Sequence, residues 1–422
     1  LVYLVGKRKL SPEEKSITRK LDKMFGVKPS FLRVEPGHCL LPPQFVFHGV
    51  NIRDMEIYDD DVWMISYPRT GSHWAQEMVW CIGNNFDYKS AETLFLLRNP
   101  LLEIFVDHTN ESYLCRASSL MVTGDSVEWF SKMGDSVKYV MKMQRPRYVK
   151  SHLPFDLLPQ QIHKKKPKVI YVARNPKDTC VSFYHYCKKF HNIVGSFEEF
   201  ADLFLDDNLP MTPFWNHVLK FWDIRDQENV LFLTYEGMKK DQKETIRRTA
   251  EFLGKTATEE QIADLCEHLK FTKMAVNPAV NMELIVPQKD VPENDKFIRK
   301  GRVGDWRNYM SEGLSQRFDE WTEKHLGGSG LDFGEQTFFI LKWLSNIVRR
   351  TDFRGNKALV YLIYLNLECN VLWESCSRLA LEFSFRRFSA HDVVCQSKDG
   401  VDSCCVRCLK FLKIISKCNI GL

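Results

Sequence analysis

Long hydrophobic runs are missing from this chain. Leu1-Val-Tyr-Leu-Val is too short for a signal core or a membrane span, and the apolar stretch Ala358 to Trp373 is broken by Asn366, Glu368 and Asn370. A membrane-anchored protein is therefore not expected. Charge of one sign is also scarce. The net charge of +5 is mild, and the basic residues are scattered rather than gathered in a stripe with interleaved aromatics, so no nucleic-acid surface is supported. No Walker A loop (Gly-x-x-x-x-Gly-Lys followed by Ser or Thr) is present, and no Gly-x-Gly-x-x-Gly follows an apolar strand. Those absences argue against phosphoryl transfer from ATP and against a dinucleotide fold of that kind. Cys405-Val-Arg-Cys408 has zinc-like spacing, but neither a second pair nor a His pair completes a site, so no metal is implied. The thirteen cysteines are odd in number and lack a small-scaffold spacing. They point to reduced thiols and a cytoplasmic location, where the sequon at Asn110 has no meaning.

Against these absences stands Val62-Trp-Met-Ile-Ser-Tyr-Pro-Arg-Thr-Gly-Ser-His-Trp74. Val62 to Tyr67 reads as a buried strand, Pro68 to Ser72 as a turn, and Trp74 to Trp80 as the start of a helix. In that arrangement the unpaired N–H groups of the loop and first helical turn converge at the positive end of the helix dipole. Arg69 adds a fixed charge, Thr70 and Ser72 add hydroxyls, and Gly71 lets the backbone approach a ligand with no Cβ in the way. Such a loop cradles a phosphate or a sulfate. The competing account is an ordinary strand–turn–helix corner whose hydroxyls only cap the helix. On this loop alone both accounts stand.

Two further stretches decide between them. Lys168-Val-Ile-Tyr-Val-Ala-Arg174 is a second apolar strand ending in a cation, followed by a helix that begins near Lys177 and carries Ser182 about two turns in. Arg174 and Ser182 can reach one anion from the same side. Phe297-Ile-Arg-Lys-Gly-Arg-Val-Gly-Asp-Trp306 is a basic loop without hydrophobic period, in which Arg299, Lys300 and the Gly301 N–H form a second clamp. Taken singly, each reads as a solvated basic turn.

In this order the three stretches resemble the cytosolic sulfotransferase family. Its motifs are matched by Tyr67-Pro-Arg-Thr-Gly-Ser-His-Trp74, by Arg174-Asn-Pro-Lys-Asp-Thr-Cys-Val-Ser182 with Tyr186, and by Arg299-Lys-Gly-Arg-Val-Gly-Asp-Trp306, so the resemblance covers roughly residues 30 to 333. The resemblance implies an α/β fold with a central parallel sheet flanked by helices. It also implies transfer of a sulfuryl group from 3′-phosphoadenosine 5′-phosphosulfate (PAPS) to a hydroxyl or amine of a small acceptor such as a phenol, alcohol or steroid. By similarity, Arg69, Thr70, Gly71, Ser72 and His73 hold the 5′-phosphosulfate. Arg174, Ser182, Arg299, Lys300 and Gly301 hold the 3′-phosphate, and Trp74, Tyr235 and Phe271 surround the adenine. Arg147-Tyr-Val-Lys-Ser-His-Leu-Pro154 matches the family's Lys-Thr-His-Leu-Pro, which makes His152 the general base and Lys150 a cation beside the transferring group. Transfer is expected in line, without a covalent intermediate and without a metal, with Arg69 and Lys150 filling the electrostatic role.

The chain departs from the family at several points. Arg69 replaces a Lys, keeping charge but giving up proton donation at neutral pH. His73 replaces a Thr, and Leu269-Lys270 replaces Thr-Ser upstream of Phe271. The dimer motif is eroded at Arg307, Ser311, Glu312 and Gln316, so a homodimer stays open, as does a PAPS-binding relative that has lost catalysis. Acceptor contacts are expected in Phe86 to His108 and Ala275 to Asp295; Phe95, Phe105 and His108 could line that pocket, with helix packing the competing account of each. The expected organisation is a polar extension over 1–30, the catalytic domain over 31–333, and a tail over 334–422 outside the enzyme. That tail, with seven of the cysteines, is read as translated non-coding or frameshifted sequence.

Overall fold

A computed structural model of the chain describes residues 12–28, 30–103, 135–282 and 296–334. The chain divides into two units, 1–336 and 337–422, and all described residues belong to the first. Phe105, His108, Asn110 and the tail cysteines lie outside the described residues.

Four apolar segments form the central sheet: β3 (Val62–Ser66), β4 (Tyr148–Ser151), β5 (Lys168–Ala173) and β6 (Val230–Thr234), all parallel in the order β4-β3-β5-β6. A separate antiparallel hairpin, β1 (Leu32–Val34) with β2 (Cys39–Leu41), precedes them. The sheet is buried on both faces, as parallel sheets are. Trp63, Ile65, Tyr171 and Ala173 point into one core, with Phe200, Phe214, Phe221 and Phe318 from the helices Phe197–Leu205, Phe214–Asp223 and Glu312–Leu326. Val62, Met64, Ile170 and Val172 alternate into the other, against the helices Ser72–Gly83, Gln242–Leu253 and Glu259–His268. Below the sheet, the guanidinium of Arg147 bonds both oxygens of Asp61, fully buried, where β3 and β4 begin.

The strand order places the site. Chain direction diverges at β3, which has the later β4 on one side and β5 on the other. The loops after β3 and β5 therefore leave the carboxyl edge at a topological switch point, where open α/β sheets bind ligands. Local signals fix the helices that follow. Asn175 caps the helix Pro176–Phe190 through the Lys177 N–H at 2.9 Å, with Pro176 in the first turn. The helix Ser72–Gly83 has no such cap: it follows Gly71 in the left-handed region, with no side chain bonded to its first turn and no acidic residue there. An uncapped helix start at a sheet switch point leaves main-chain N–H groups available to an anionic ligand.

Candidate active site

A cavity of about 320 Å³ opens at this edge, and Arg69, Gly71, Ser72, His73, Trp74, Lys150, His152, Arg174, Ser182, Tyr235, Phe271, Arg299, Lys300 and Gly301 all line it. Thr70 is the exception among the expected ligands. Its hydroxyl donates to the Tyr67 carbonyl at 3.0 Å and its side chain is buried inside the turn, so it shapes the loop rather than facing the cavity. Gly71 also meets a local need: its φ is +94°, and a Cβ there would lie 2.5 Å from the Tyr235 ring. Gly301 repeats the device, at φ +62° with a Cβ position 2.4 Å from the Phe271 ring. Two aromatic rings thus rest on two bare backbones.

The cations are held by hydroxyl, carbonyl and carboxylate partners. Arg69 donates from Nε to Ser182 Oγ at 3.3 Å and from a terminal nitrogen to the Phe297 carbonyl at 3.0 Å. Its guanidinium lies over the Tyr186 and Phe297 rings, 5.2 and 4.6 Å from their centroids, and burial pushes its pKa down to about 10. Arg174 donates to the carbonyls of Arg69 and Arg302 and covers Tyr235 at 4.3 Å, leaving its buried Nε without a partner. Arg299 and Lys300 share Asp305, at 2.8 and 3.0 Å. Lys177 and Asp178, conspicuous in the middle motif, are not cavity residues. Asp178 accepts the Gly304 and Trp306 N–H groups at 2.6 and 2.9 Å, and Lys177 bonds Ser315 and Asp319. Asp178 thus docks the late basic loop, and Lys177 the helix Glu312–Leu326, onto the helix that carries Ser182.

At the other end of the cavity, the His152 ring places Nδ1 2.7 Å from the Ser66 carbonyl. A carbonyl only accepts, so Nδ1 carries the proton and the Nε2 lone pair is left for the cavity. Burial, then the neighbouring Lys150 charge, hold this imidazole well below its ordinary pKa. Lys150 is itself pushed down to about 7 by burial, with Glu103 acting in the opposite sense. Glu103 escaped the sequence reading. Lys150 N–H bonds the Pro100 carbonyl at 3.0 Å and Leu102 N–H the Lys150 carbonyl at 2.9 Å, a strand-like pairing at the free edge of β4. That pairing brings the Glu103 carboxylate onto the His152 N–H and the Ser151 hydroxyl (2.9 Å), where burial raises it to about 7. An acid inside the apolar run Leu101 to Phe105 was the only sequence signal for it.

The apolar lining was also only partly foreseen. Leu96, Leu101 and Met282 come from the expected stretches, but Leu41, Pro42, Phe45, Pro210 and Met211 do not. β2 brings them in: Met211 N–H bonds the Leu40 carbonyl at 2.9 Å, and Tyr67 Oη donates to the Pro210 carbonyl at 3.2 Å. Phe95 is fully buried and stacks on His73 at 4.6 Å, so it supports the wall rather than forming it. Burial drives the His73 pKa well below its ordinary value, and its Nε2 has no partner.

The sulfotransferase domain family model matches residues 59–330, a span holding every residue of this cluster apart from Leu41, Pro42 and Phe45. The chain belongs to the sulfotransferase family. Luciferin sulfotransferase of Photinus pyralis is 40% identical over 284 residues, covering 66% of this chain and 75% of that protein. Sulfotransferase 1E1 of Bos taurus is 31% identical over 315 residues, covering 74% and 99%. Retinol dehydratase, in a crystal structure with retinol and PAP, superposes with a TM-score of 0.67 at 30% identity, covering 77% of this sulfotransferase and 97% of that chain. One other cluster among the described residues has metal-ligating types, Glu77, Cys81 and His268. In this sulfotransferase its carboxylate is already held by Arg98 and by His268 at 2.8 Å, and none of the three lines the cavity.

Proposed function

We propose that this sulfotransferase uses PAPS as donor and sulfates a hydroxyl of a small, largely apolar acceptor, a phenol, alcohol or steroid, with His152 as general base. The observation that carries the reading is the His152 ring: proton fixed on Nδ1 by Ser66, imidazole kept neutral, and Nε2 without a protein partner among the described residues, in a ring that lines a cavity shared with Lys150, Arg69 and apolar residues. The residues fit the donor. Arg174, Ser182, Arg299, Lys300 and the uncapped helix at Ser72 suit its phosphate groups, and the partnerless Arg174 Nε offers a donor. Trp74, Tyr235 and Phe271 suit a purine, and the seating of Tyr235 on Gly71 and of Phe271 on Gly301 fits such a stack. When bound, PAPS supplies a sulfuryl group on a phosphate leaving group. His152 Nε2 takes the proton of the acceptor hydroxyl, and Lys150 and Arg69 hold positive charge where negative charge develops. Leu41, Phe45, Pro210 and Met211 exclude water and receive the acceptor body.

A cytoplasmic location is proposed from the buried thiols of Cys39, Cys81 and Cys180, none of them in a disulfide. No helix among the described residues is long and apolar enough to cross a membrane. Incubation with sulfur-labelled PAPS and a panel of phenols, alcohols and steroids tests the activity. Labelled product is expected, with His152→Ala lowering turnover by about a hundredfold or more, the scale of a lost general base. Binding of PAP without labelling of any acceptor would instead favour a relative that has lost catalysis.

A further inference from the structure

We propose that His217, set by Tyr171, is a positioning residue for this reaction: it holds the main chain of His152 so that the ring can present Nε2 and nothing else to the acceptor. The inference rests on the reading of His152 as base.

His152 is the first residue beyond the sheet ladder, since the β3–β4 register ends at Ile65 opposite Ser151. Strand pairing therefore leaves both of its main-chain groups unheld. Three side-chain or strand-end contacts replace the ladder. Glu103 takes the N–H, the Ser66 carbonyl takes Nδ1–H, and His217 Nε2 lies 2.9 Å from the His152 carbonyl. That carbonyl can only accept, so His217 Nε2 must carry a proton. His217 is wholly buried on the helix Phe214–Asp223, and burial pushes its pKa down to about 4. The neutral ring has one N–H, so Nδ1 must accept, and the Tyr171 Oη at 2.8 Å is the donor.

The relay thus has one direction: Tyr171 O–H to His217 Nδ1, then His217 Nε2–H to His152 O. Tyr171 is itself fixed in β5 by stacking on Phe221 and Phe232, with centroids 4.3 and 5.2 Å away. A packing role alone would need neither a tautomer nor a hydroxyl at these two positions, which sit among the rings of Tyr67, Phe221 and Phe232. The groups that could titrate with the relay are Lys150 and Glu103, buried beside His152; the elements packed on His217 otherwise present Tyr67, with its ring 5.8 Å away, and the apolar Phe221.

The test compares wild type with His217→Leu, His217→Gln, Tyr171→Phe and His152→Ala, reading kcat, acceptor KM, the pH profile of kcat/KM, and PAP affinity by calorimetry. His217→Leu is expected to lower kcat about tenfold, the scale of one buried hydrogen bond to a reacting element, with PAP affinity unchanged. Its acidic limb should move up in pH, because a loosened His152 regains solvent and its ordinary basicity. His217→Gln keeps an N–H at the same reach and should recover most of the rate. Tyr171→Phe releases the tautomer and should lower kcat with PAP affinity intact. If His217→Leu does not fold, the Gln and Phe variants carry the comparison alone. Wild-type kcat and an unmoved limb in His217→Leu, or in Tyr171→Phe where Leu fails, overturn the proposal, as does a loss of PAP affinity in step with kcat. A fully active His152→Ala would instead overturn the base assignment, so the two failures are separable.

Discussion

Replacing Glu103 by Gln isolates an electrostatic role from a steric one, because shape is kept and only charge and one acceptor are lost. The carboxylate accepts from the His152 N–H and the Ser151 hydroxyl, and it faces Lys150 in the same buried space. An amide presents one oxygen and one NH2, so only one of the two donors keeps its acceptor; the Ser151 hydroxyl can turn to accept from the NH2 but loses the acceptor for its own proton. Losing a hydrogen bond to a charged acceptor costs about 1.5–3 kcal/mol. If the loss falls on the transition state, turnover drops about ten- to 150-fold. The second effect has a definite sign. Burial lowers Lys150 to about 7 and Glu103 opposes that shift, so removing the charge lowers Lys150 further. Lys150 acts only when protonated, below its pKa, so the alkaline limb of kcat/KM moves to lower pH. Glu103 is itself raised to about 7, so the wild-type limb belongs to the pair rather than to one residue. The acidic limb, set by His152, lies well below the ordinary imidazole value and stays in place. The profile to read is kcat/KM, which reports the free enzyme, because a bound anion raises Lys150. A Glu103→Gln variant with the wild-type kcat/KM and an unmoved alkaline limb would refute the coupling.

Other perturbations follow from the same geometry. Arg69→Lys gives up the bonds to Ser182 and the Phe297 carbonyl and the two ring contacts, yet keeps a cation. Its steady-state rate should stay within about tenfold of wild type if the residue acts as a charge, whereas a large rate increase would mean that the loop lacks a proton donor. Gly71→Ala combines a φ of +94° with a Cβ 2.5 Å from the Tyr235 ring, so the ring must shift. The left-handed conformation alone costs about 1–2 kcal/mol, and calorimetry should show PAP binding weakened about tenfold or more; unchanged affinity would show that Tyr235 is not part of the purine seat. Every described residue that lines the cavity precedes position 334, and the family match ends at residue 330. A chain of residues 1–333 should therefore keep PAP binding and turnover, and loss of soluble, active protein on truncation would show that the tail is needed.

How much of this site a reader of the sequence could find depends on how each residue is held. The anion loop was legible because its logic is local: strand, glycine turn and uncapped helix lie within Val62–Gly83, and their periodicity and turn chemistry are readable in order. The sheet was legible for the same reason, since each strand is a short apolar run with its own boundaries. Glu103, His217 and Tyr171 were not legible. Glu103 and His217 reach His152 across 49 and 65 residues of sequence, and His217 looks like an ordinary member of an aromatic helix until Tyr171 is set beside it. The motifs also mixed two kinds of residue that sequence cannot separate. In Arg174-Asn-Pro-Lys-Asp178 the arginine lines the cavity, while the lysine and aspartate bind Ser315, Asp319 and the Gly304 and Trp306 amides. Asp178 thereby holds the late loop against the helix that carries Ser182, which keeps Arg299 beside the cavity. A charge swap at Asp178 should therefore weaken donor binding as strongly as loss of Arg299, although Asp178 itself does not line the cavity.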